Sequence, residues 1–407
     1  MLGNDIQIKQ LVGIGDVHLS LQPKQSVYCL IGENGIGKTK CLEALFKAGL
    51  AYNEQYATRN LLIGVGAHRG YQKFRTNNIP IKRRESVTSD SDNALISWSK
   101  KMTDNRKDLL AQAFEGMNDH NLPVVFLGAQ DRGGIHNKQK TEKEYLKSHS
   151  DDGIGSKRQR INEYFNMINQ HIEHTNLNNL NMNVDIEKWV SQRARSANPY
   201  QAIEDNREVE ITTLLDLLNK VDERIDSKFL EISGNNRVFI KVSDKKTELS
   251  ELSSGFASIL KIMQSIIAGY SYFTNETNIA RVKGVVFIDE IESHLHTKWQ
   301  ATIIPVLKRL FPNTTFYITT HSAIVLSQLQ HGEAYELYRD KEDGVVKTEL
   351  IEHPNNAAFV DLLKDAFDID INKLKLARDN APQQKNAKKI LTELLEKRIN
   401  ELKEGTQ

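Results

Sequence analysis

Apolar and polar positions along the chain fall into runs of two kinds. Ile6-Gln7-Ile8 and Val17-His18-Leu19-Ser20-Leu21 alternate, as strands with one covered face do. Val27-Tyr28-Cys29-Leu30-Ile31, Val124-Val125-Phe126-Leu127, Val285-Val286-Phe287-Ile288 and Thr315-Phe316-Tyr317-Ile318 are almost continuously apolar, the pattern of strands covered on both faces. Helical spacing predicts a helix over 40–51 through Leu42, Leu45 and Phe46, a long apolar one from Phe256 to Gly269, and one through Trp299, Ile303, Ile304, Leu307 and Leu310. Buried strands alternating with helices predict a three-layer α/β core.

Between about 140 and 235 the chain turns rich in Asn, Gln, Lys and Glu. Helical periodicity persists in Ile161, Tyr164, Phe165 and Ile168, and again in Leu214, Leu215, Leu218 and Val221. Strand pattern resumes at Val238-Phe239-Ile240, and Phe359 to Leu402 reads as charged amphipathic helices. The expected organisation is one head built from 1–135 and 236–345, interrupted by a helical insertion over 136–235 and followed by a C-terminal helical segment over 346–407. There is no internal repeat of 20–50 residues.

Composition narrows the possibilities. The 407 residues carry 54 Lys and Arg against 53 Asp and Glu, a net charge of +1 that gives no bulk argument for nucleic acid. Lys82-Arg83-Arg84, Lys157-Arg158-Gln159-Arg160 and Arg193-Ala194-Arg195 are local basic clusters, either tracks for a nucleic-acid backbone or solvated faces. Cys29 and Cys41 are the only cysteines, which excludes a disulfide framework and a four-cysteine zinc site; both read as buried thiols in a reducing compartment. His171 and His174 have helical i, i+3 spacing but no nearby third ligand, so they read as surface residues. With no targeting pattern at the start and no uncharged run of 18 residues, a cytoplasmic location without a membrane is expected.

The chemistry sits where strands end. Gly32-Glu33-Asn34-Gly35-Ile36-Gly37-Lys38-Thr39 matches G-x-x-x-x-G-K-[ST] at every position, between a buried strand and a helix that runs on through Lys40. Gly32, Gly35 and Gly37 let backbone N–H groups turn inward on phosphate oxygens. Lys38 supplies charge for the β- and γ-phosphates, and Thr39 offers a hydroxyl to Mg²⁺. ATP with Mg²⁺ is therefore the expected ligand pair. Asp289 and Glu290 follow an apolar strand, where Asp289 would hold the metal and Glu290 would orient and deprotonate a water. Ser253-Ser254-Gly255 opens the long apolar helix as an N-terminal anion site. Gln130 lies just beyond the Val124–Leu127 strand, and Thr319-Thr320-His321-Ser322 follows another.

That order of phosphate loop, glutamine, serine-glycine helix start, Asp-Glu strand end and histidine resembles the ATP-binding cassette (ABC) ATPases. The resemblance implies that Ser253, Ser254 and Gly255 cap the γ-phosphate held by an opposite subunit, so that two heads sandwich two ATP molecules. It further implies that His321 contacts the γ-phosphate and that Gln130 reaches Mg²⁺ and the attacking water. Lys38 and Ser254 are separated by 254 − 38 = 216 residues, longer than in transporter subunits. Ile288-Asp289-Glu290-Ile291-Glu292-Ser293-His294-Leu295-His296, with Trp299-Gln300, resembles the OLD-like and RecF/SMC-related branch, which implies a subunit-contact role for His294 and His296. Only 407 − 321 = 86 residues follow His321, without the nuclease domain of OLD proteins. Asp368-Ile369-Asp370 lies among helical residues and reads as a helix cap. There is no C-x-x-C for a zinc hook. The resemblance is thus to stand-alone ATPases of defence systems such as Septu and PARIS. It implies a homodimer or higher oligomer that senses and restrains a separately encoded nuclease or toxin, with DNA as a further candidate partner. A RecF-like DNA repair ATPase is the alternative.

Overall fold

The computed structural model describes residues 2–55, 114–117, 120–133, 135, 156–173, 177–182, 184–196, 200, 206–356, 362, 389–392 and 394. Lys82-Arg83-Arg84, His174 and Asp368–Asp370 lie outside them. The chain divides into two units, Met1–Ala357 and Ala358–Gln407. In the second unit the described residues are helical, with Leu362 buried and Ile390, Leu391 and Leu394 exposed.

The first unit is built on a nine-stranded sheet. Strands β1 (Leu2–Leu11), β2 (Gly15–Ser20), β3 (Val27–Ile31), β4 (Phe114–Met117), β5 (Val124–Leu127), β9 (Gly284–Ile288), β10 (Thr314–Thr319), β11 (Ala334–Arg339) and β12 (Val346–Leu350) lie in the order β4-β1-β2-β12-β11-β3-β10-β9-β5. From β11 to β5 every pair is parallel, so β3, β10, β9 and β5 all end at one edge. The β4-β1-β2 wing is antiparallel. A separate three-stranded antiparallel sheet comprises β6 (Glu231–Ile232), β7 (Val238–Val242) and β8 (Lys245–Glu248).

Strands β3, β9 and β5, and Phe316-Tyr317-Ile318 of β10, are apolar and buried because helices cover both faces. Helix α1 (Lys38–Ala51) sits on one face, where a Cβ on its Gly49 would meet Val124 at 3.4 Å. On the same face the rings of Tyr28, Tyr317 and Phe287 stack nearly parallel across three strands, with ring centroids 4.9 and 5.2 Å apart. The opposite face carries the 20-residue α5 (Ser254–Phe273), whose Gly269 lets it settle on Val125; a Cβ there would lie 2.5 Å from the valine. This is the three-layer α/β arrangement expected from the apolar runs. The predicted helix through Trp299 is divided into α6 (Thr297–Gln300) and α7 (Ile303–Leu310), with a turn at Ala301-Thr302.

The polar middle of the chain contributes to this core. Helices α2 (Lys157–Glu173), α3 (Ile186–Ser196) and α4 (Glu208–Val221) are amphipathic, and Tyr164, Phe165 and Ile168 of α2 join the same buried cluster as Phe46, Phe126 and Phe287. The Tyr164 hydroxyl donates to the β5 carbonyl of Val124 at 2.5 Å, and Phe165 packs edge-on against Phe273 of α5. Phe165→Ala is therefore expected to cost about 3–5 kcal/mol in urea unfolding, as for any emptied aromatic core site. A loss under about 1 kcal/mol would mean that α2 is an appendage.

One arginine of each of two basic clusters turns inward, while Lys157, Arg158 and Arg195 stay exposed. Arg160 is fully buried, with Nε donating to the Ser271 carbonyl at 2.9 Å and Nη2 to the Thr274 carbonyl at 3.4 Å and the side chain of Asn275. Arg193 is 2% exposed, lies over the Trp189 ring and pairs with buried Glu210 at 3.3 Å. Buried arginines held in this way position helices and meet no phosphate backbone. Both cysteines are buried and free, and burial pushes both thiols up.

Candidate functional site

The C-terminal ends of β3, β9, β10 and β5 deliver the sequence-predicted groups to one edge of the sheet, the position where α/β folds place ligands. After β3 the chain enters a loop whose Gly32, Gly35 and Gly37 have φ of 138°, 86° and 110°. Gly32 has no alternative: besides its left-handed backbone, a Cβ would stand 2.6 Å from the carbonyl oxygen of Leu337 on β11. Gly37 is the N-cap of α1 and brings no side-chain cap, so the helix opens its N-terminal end to the loop. Asn34 is exposed. Lys40 is half-buried and pairs with Glu43 at 3.3 Å.

Lys38 is buried inside the loop, its Nζ donating to the carbonyls of Gly32 at 2.7 Å and Glu33 at 2.9 Å. Burial pulls the ammonium down from its ordinary value, against the attraction of Glu290, Asp289 and Glu292. Thr39 Oγ1 donates to Asp289 at 2.9 Å (Oδ1) and 3.2 Å (Oδ2), and Thr319 Oγ1 donates to Asp289 Oδ1 at 2.7 Å. Desolvation raises the pKa of Asp289, while the two threonine hydroxyls work against that rise. A hydroxyl and a carboxylate joined at the mouth of a phosphate-type loop form the hard-oxygen donor set that suits Mg²⁺, which keeps water and phosphate as its other ligands.

Glu290 is half-buried beside Asp289 and has a left-handed φ of 44°. Its amide donates to Thr319 Oγ1 at 2.7 Å, and its Oε2 accepts from Ser293 Oγ at 3.0 Å. One residue of β10, Thr319, thus touches both acids. Glu292 continues the link: it accepts from Thr320 Oγ1 and from the His321 amide, both at 2.6 Å, and so fixes the backbone that carries the exposed His321 side chain. Gln300 accepts from Ser322 Oγ at 2.8 Å, joining α6 to the same segment.

The loop after β5 carries Gln130, which is exposed. Segment 177–182 pins this loop, with Asn178 O accepting from the Gln130 amide at 2.9 Å and Leu180 O from the Gly128 amide at 3.0 Å. Gly128 is required by that approach, since a Cβ would fall 2.0 Å from Asn178 O. The Ser253–Gly255 motif lies elsewhere, at the start of α5. Ser253 caps the helix through Phe256 N at 3.3 Å; Ser253 and Ser254 are exposed, and Gly255 is buried against His296 and Trp299. His294 and His296 are exposed, and Phe256 meets Trp299 edge-on at 6.3 Å.

Sequence reasoning missed Thr319, Glu292 and Arg132 as members of the site. Thr319 and Glu292 were visible inside quoted motifs but looked like strand and helix filler. Arg132 lay among glycines and gave no sign that it would be buried.

A phosphate loop, an Asp-Glu strand end, a histidine strand end and a glutamine strand end, ordered β3-β10-β9-β5 along parallel strands, have the arrangement of a P-loop NTPase fold. Consistent with that class, residues 129–327 match the family model described as an AAA domain, putative AbiEii toxin, type IV TA system. The chain is similar to the Retron Vc95 probable ATPase of Vibrio cholerae, 29% identical over 262 residues, 61% of this chain and 44% of that protein. It is also similar to the Septu protein PtuA of Bacillus mycoides, 29% identical over 151 residues, 36% of this chain and 21% of that one. The chain thus spans less than half the length of these relatives. Among solved structures, an SMC head bound to the C-terminal winged-helix domain of ScpA aligns with 88% of this chain and 100% of its own, at 10% identity and a TM-score of 0.41. Among the described residues no helix is long and apolar enough to cross a membrane.

Proposed function

We propose that this chain binds and hydrolyses ATP in a site that a second copy completes, and that this cycle controls a separately encoded nuclease or toxin in bacterial antiphage defence. The observation that carries the ATPase half is the convergence of Thr39, Asp289 and Glu290, which Thr39 and Thr319 tie together at the mouth of the Gly32–Thr39 loop. Gly32, Asn34, Gly35, Gly37, Lys38, Thr39 and Lys40 are assigned to the triphosphate. Thr39 and Asp289, with Gln130, would hold Mg²⁺. When bound, the ion supplies charge neutralisation across the phosphates. Glu290 orients the attacking water and accepts its proton. Its fixed backbone costs no reorganisation at that moment. His321 is assigned to the γ-phosphate.

Ser253, Ser254 and Gly255 are assigned to the nucleotide of the opposite subunit, and their exposed helix start is accessible for that contact. The defence half of the reading rests on likeness to a Septu protein and a retron ATPase. Affinity purification of the tagged chain together with the products of its neighbouring genes tests it. A nuclease- or toxin-like protein should co-elute and leave in an ATP-dependent manner. Tight DNA binding with a steep salt dependence and no such partner would instead establish the RecF-like alternative.

A further inference from the structure

Two residues beyond Gln130, the guanidinium of Arg132 is fully buried, and none of the assigned roles uses it. Its Nη1 donates to the carbonyl of Glu290 at 2.7 Å. Its Nη2 donates to the carbonyls of Asp289 at 2.6 Å and Leu127 at 3.3 Å. One planar fork therefore joins the last residue of β5 to the two acids that leave β9. The fork is also anchored at its root. Ser258 of α5 donates to the Arg132 carbonyl at 3.3 Å, and buried Lys261 donates to the Asp131 carbonyl at 2.5 Å and the Met182 carbonyl at 2.9 Å. Burial lowers the Arg132 pKa to about 10, against the pull of Asp289, Glu292 and Glu290, so it remains charged at neutral pH.

The geometry it grips is a costly one. A non-glycine residue at φ 44° is disfavoured by the approach of its Cβ to the carbonyl oxygen that follows, and it persists only where neighbours over-determine it. Glu290 is held by four bonds: its amide donates to Thr319, its carboxylate accepts from the Ser293 hydroxyl, and its carbonyl accepts from both Arg132 and the Ser293 amide. Arg132 also reaches the preceding carbonyl, so with Thr319 on the amide it fixes both sides of the peptide between the acids. We propose that Arg132 is a positioning residue for Glu290, holding the Asp289–Glu290 peptide in the left-handed turn from which the catalytic carboxylate projects. This inference rests on the ATPase reading and deepens it.

A lysine keeps the charge but cannot reproduce a fork reaching three carbonyls. For Arg132→Lys, kcat for ATP should fall about 10–100-fold, the scale typical of outer supports of a reacting group, while KM for ATP stays within about threefold. The stoichiometry of a bound fluorescent ATP analogue should remain that of the wild type, with a cooperative melting transition. Arg132→Gln, which offers a single amide donor, should show the same split and stands in if the lysine variant does not fold. Wild-type kcat in either folded variant overturns the inference, as does a kcat loss matched by an equal loss of binding stoichiometry. Failure of both variants to bind the analogue makes Arg132 a structural residue and overturns it too. A wild-type chain that binds ATP without turning it over overturns the ATPase reading itself.

Discussion

Glu290→Gln is expected to bind ATP as the wild type does and to hydrolyse it about 10²–10⁴-fold more slowly, the contribution typical of a positioned general base. The substitution preserves shape. The amide oxygen can still accept from Ser293, and the backbone contacts with Thr319 and Arg132 involve no side-chain atom of residue 290. What disappears is the basic carboxylate. Asp289 cannot take over, since both of its oxygens already accept from threonine hydroxyls and it is assigned to the metal. With hydrolysis blocked, the ATP-bound dimer should accumulate and be visible as a doubling of mass in light scattering. Turnover within tenfold of the wild type would assign the base to another group.

Lys38→Ala should fail one step earlier. The ammonium is buried at the base of the loop and drawn toward three carboxylates, and its partners are backbone carbonyls of the loop itself. A hydrogen bond to a charged group contributes roughly 1.5–3 kcal/mol, and Lys38 is expected to make more than one to the triphosphate. Titration calorimetry should therefore show ATP affinity reduced at least about 100-fold, with cooperative melting retained. ATP bound within about threefold of the wild-type affinity would remove Lys38 from the phosphate site.

Strand positions that end in chemistry were legible in the sequence because their apolar runs are unbroken: β3, β5, β9 and β10 appear where the pattern puts them. Strands β11 and β12 were not, because Tyr335-Glu336-Leu337 and Val346-Lys347-Thr348 mix polar and apolar residues at the junction of the parallel and antiparallel parts. The candidate-site residues from Gly32 to Thr39 and at Asp289-Glu290 were legible as local motifs at the ends of those strands, and the structure brings them together. Arg132, Arg160 and Arg193 were not. Arg132 and Arg160 are buried against carbonyls as far as 158 and 111 residues away, and Arg193 against the Glu210 carboxylate of another helix; no local pattern encodes such partners. The polar middle of the chain misled similarly. Its composition suggested an ornament, yet a few apolar residues of α2 at helical spacing complete the head's core.

On the proposed reading the phosphate loop and the Ser253–Gly255 helix start are each half of a site, one half from each of two copies. Mixing two inactive variants tests this directly. Lys38→Ala lacks the loop charge and Ser254→Arg blocks the helix start, so each alone should be without ATPase activity. In a mixed dimer one of the two sites receives an intact loop from one chain and an intact Ser254 from the other. Co-refolding equal amounts should therefore restore about a quarter of wild-type turnover, since half of randomly paired two-fold dimers are mixed and each has one whole site. No recovery in demonstrably mixed dimers, or full activity of Ser254→Arg alone, would contradict a site shared between two copies.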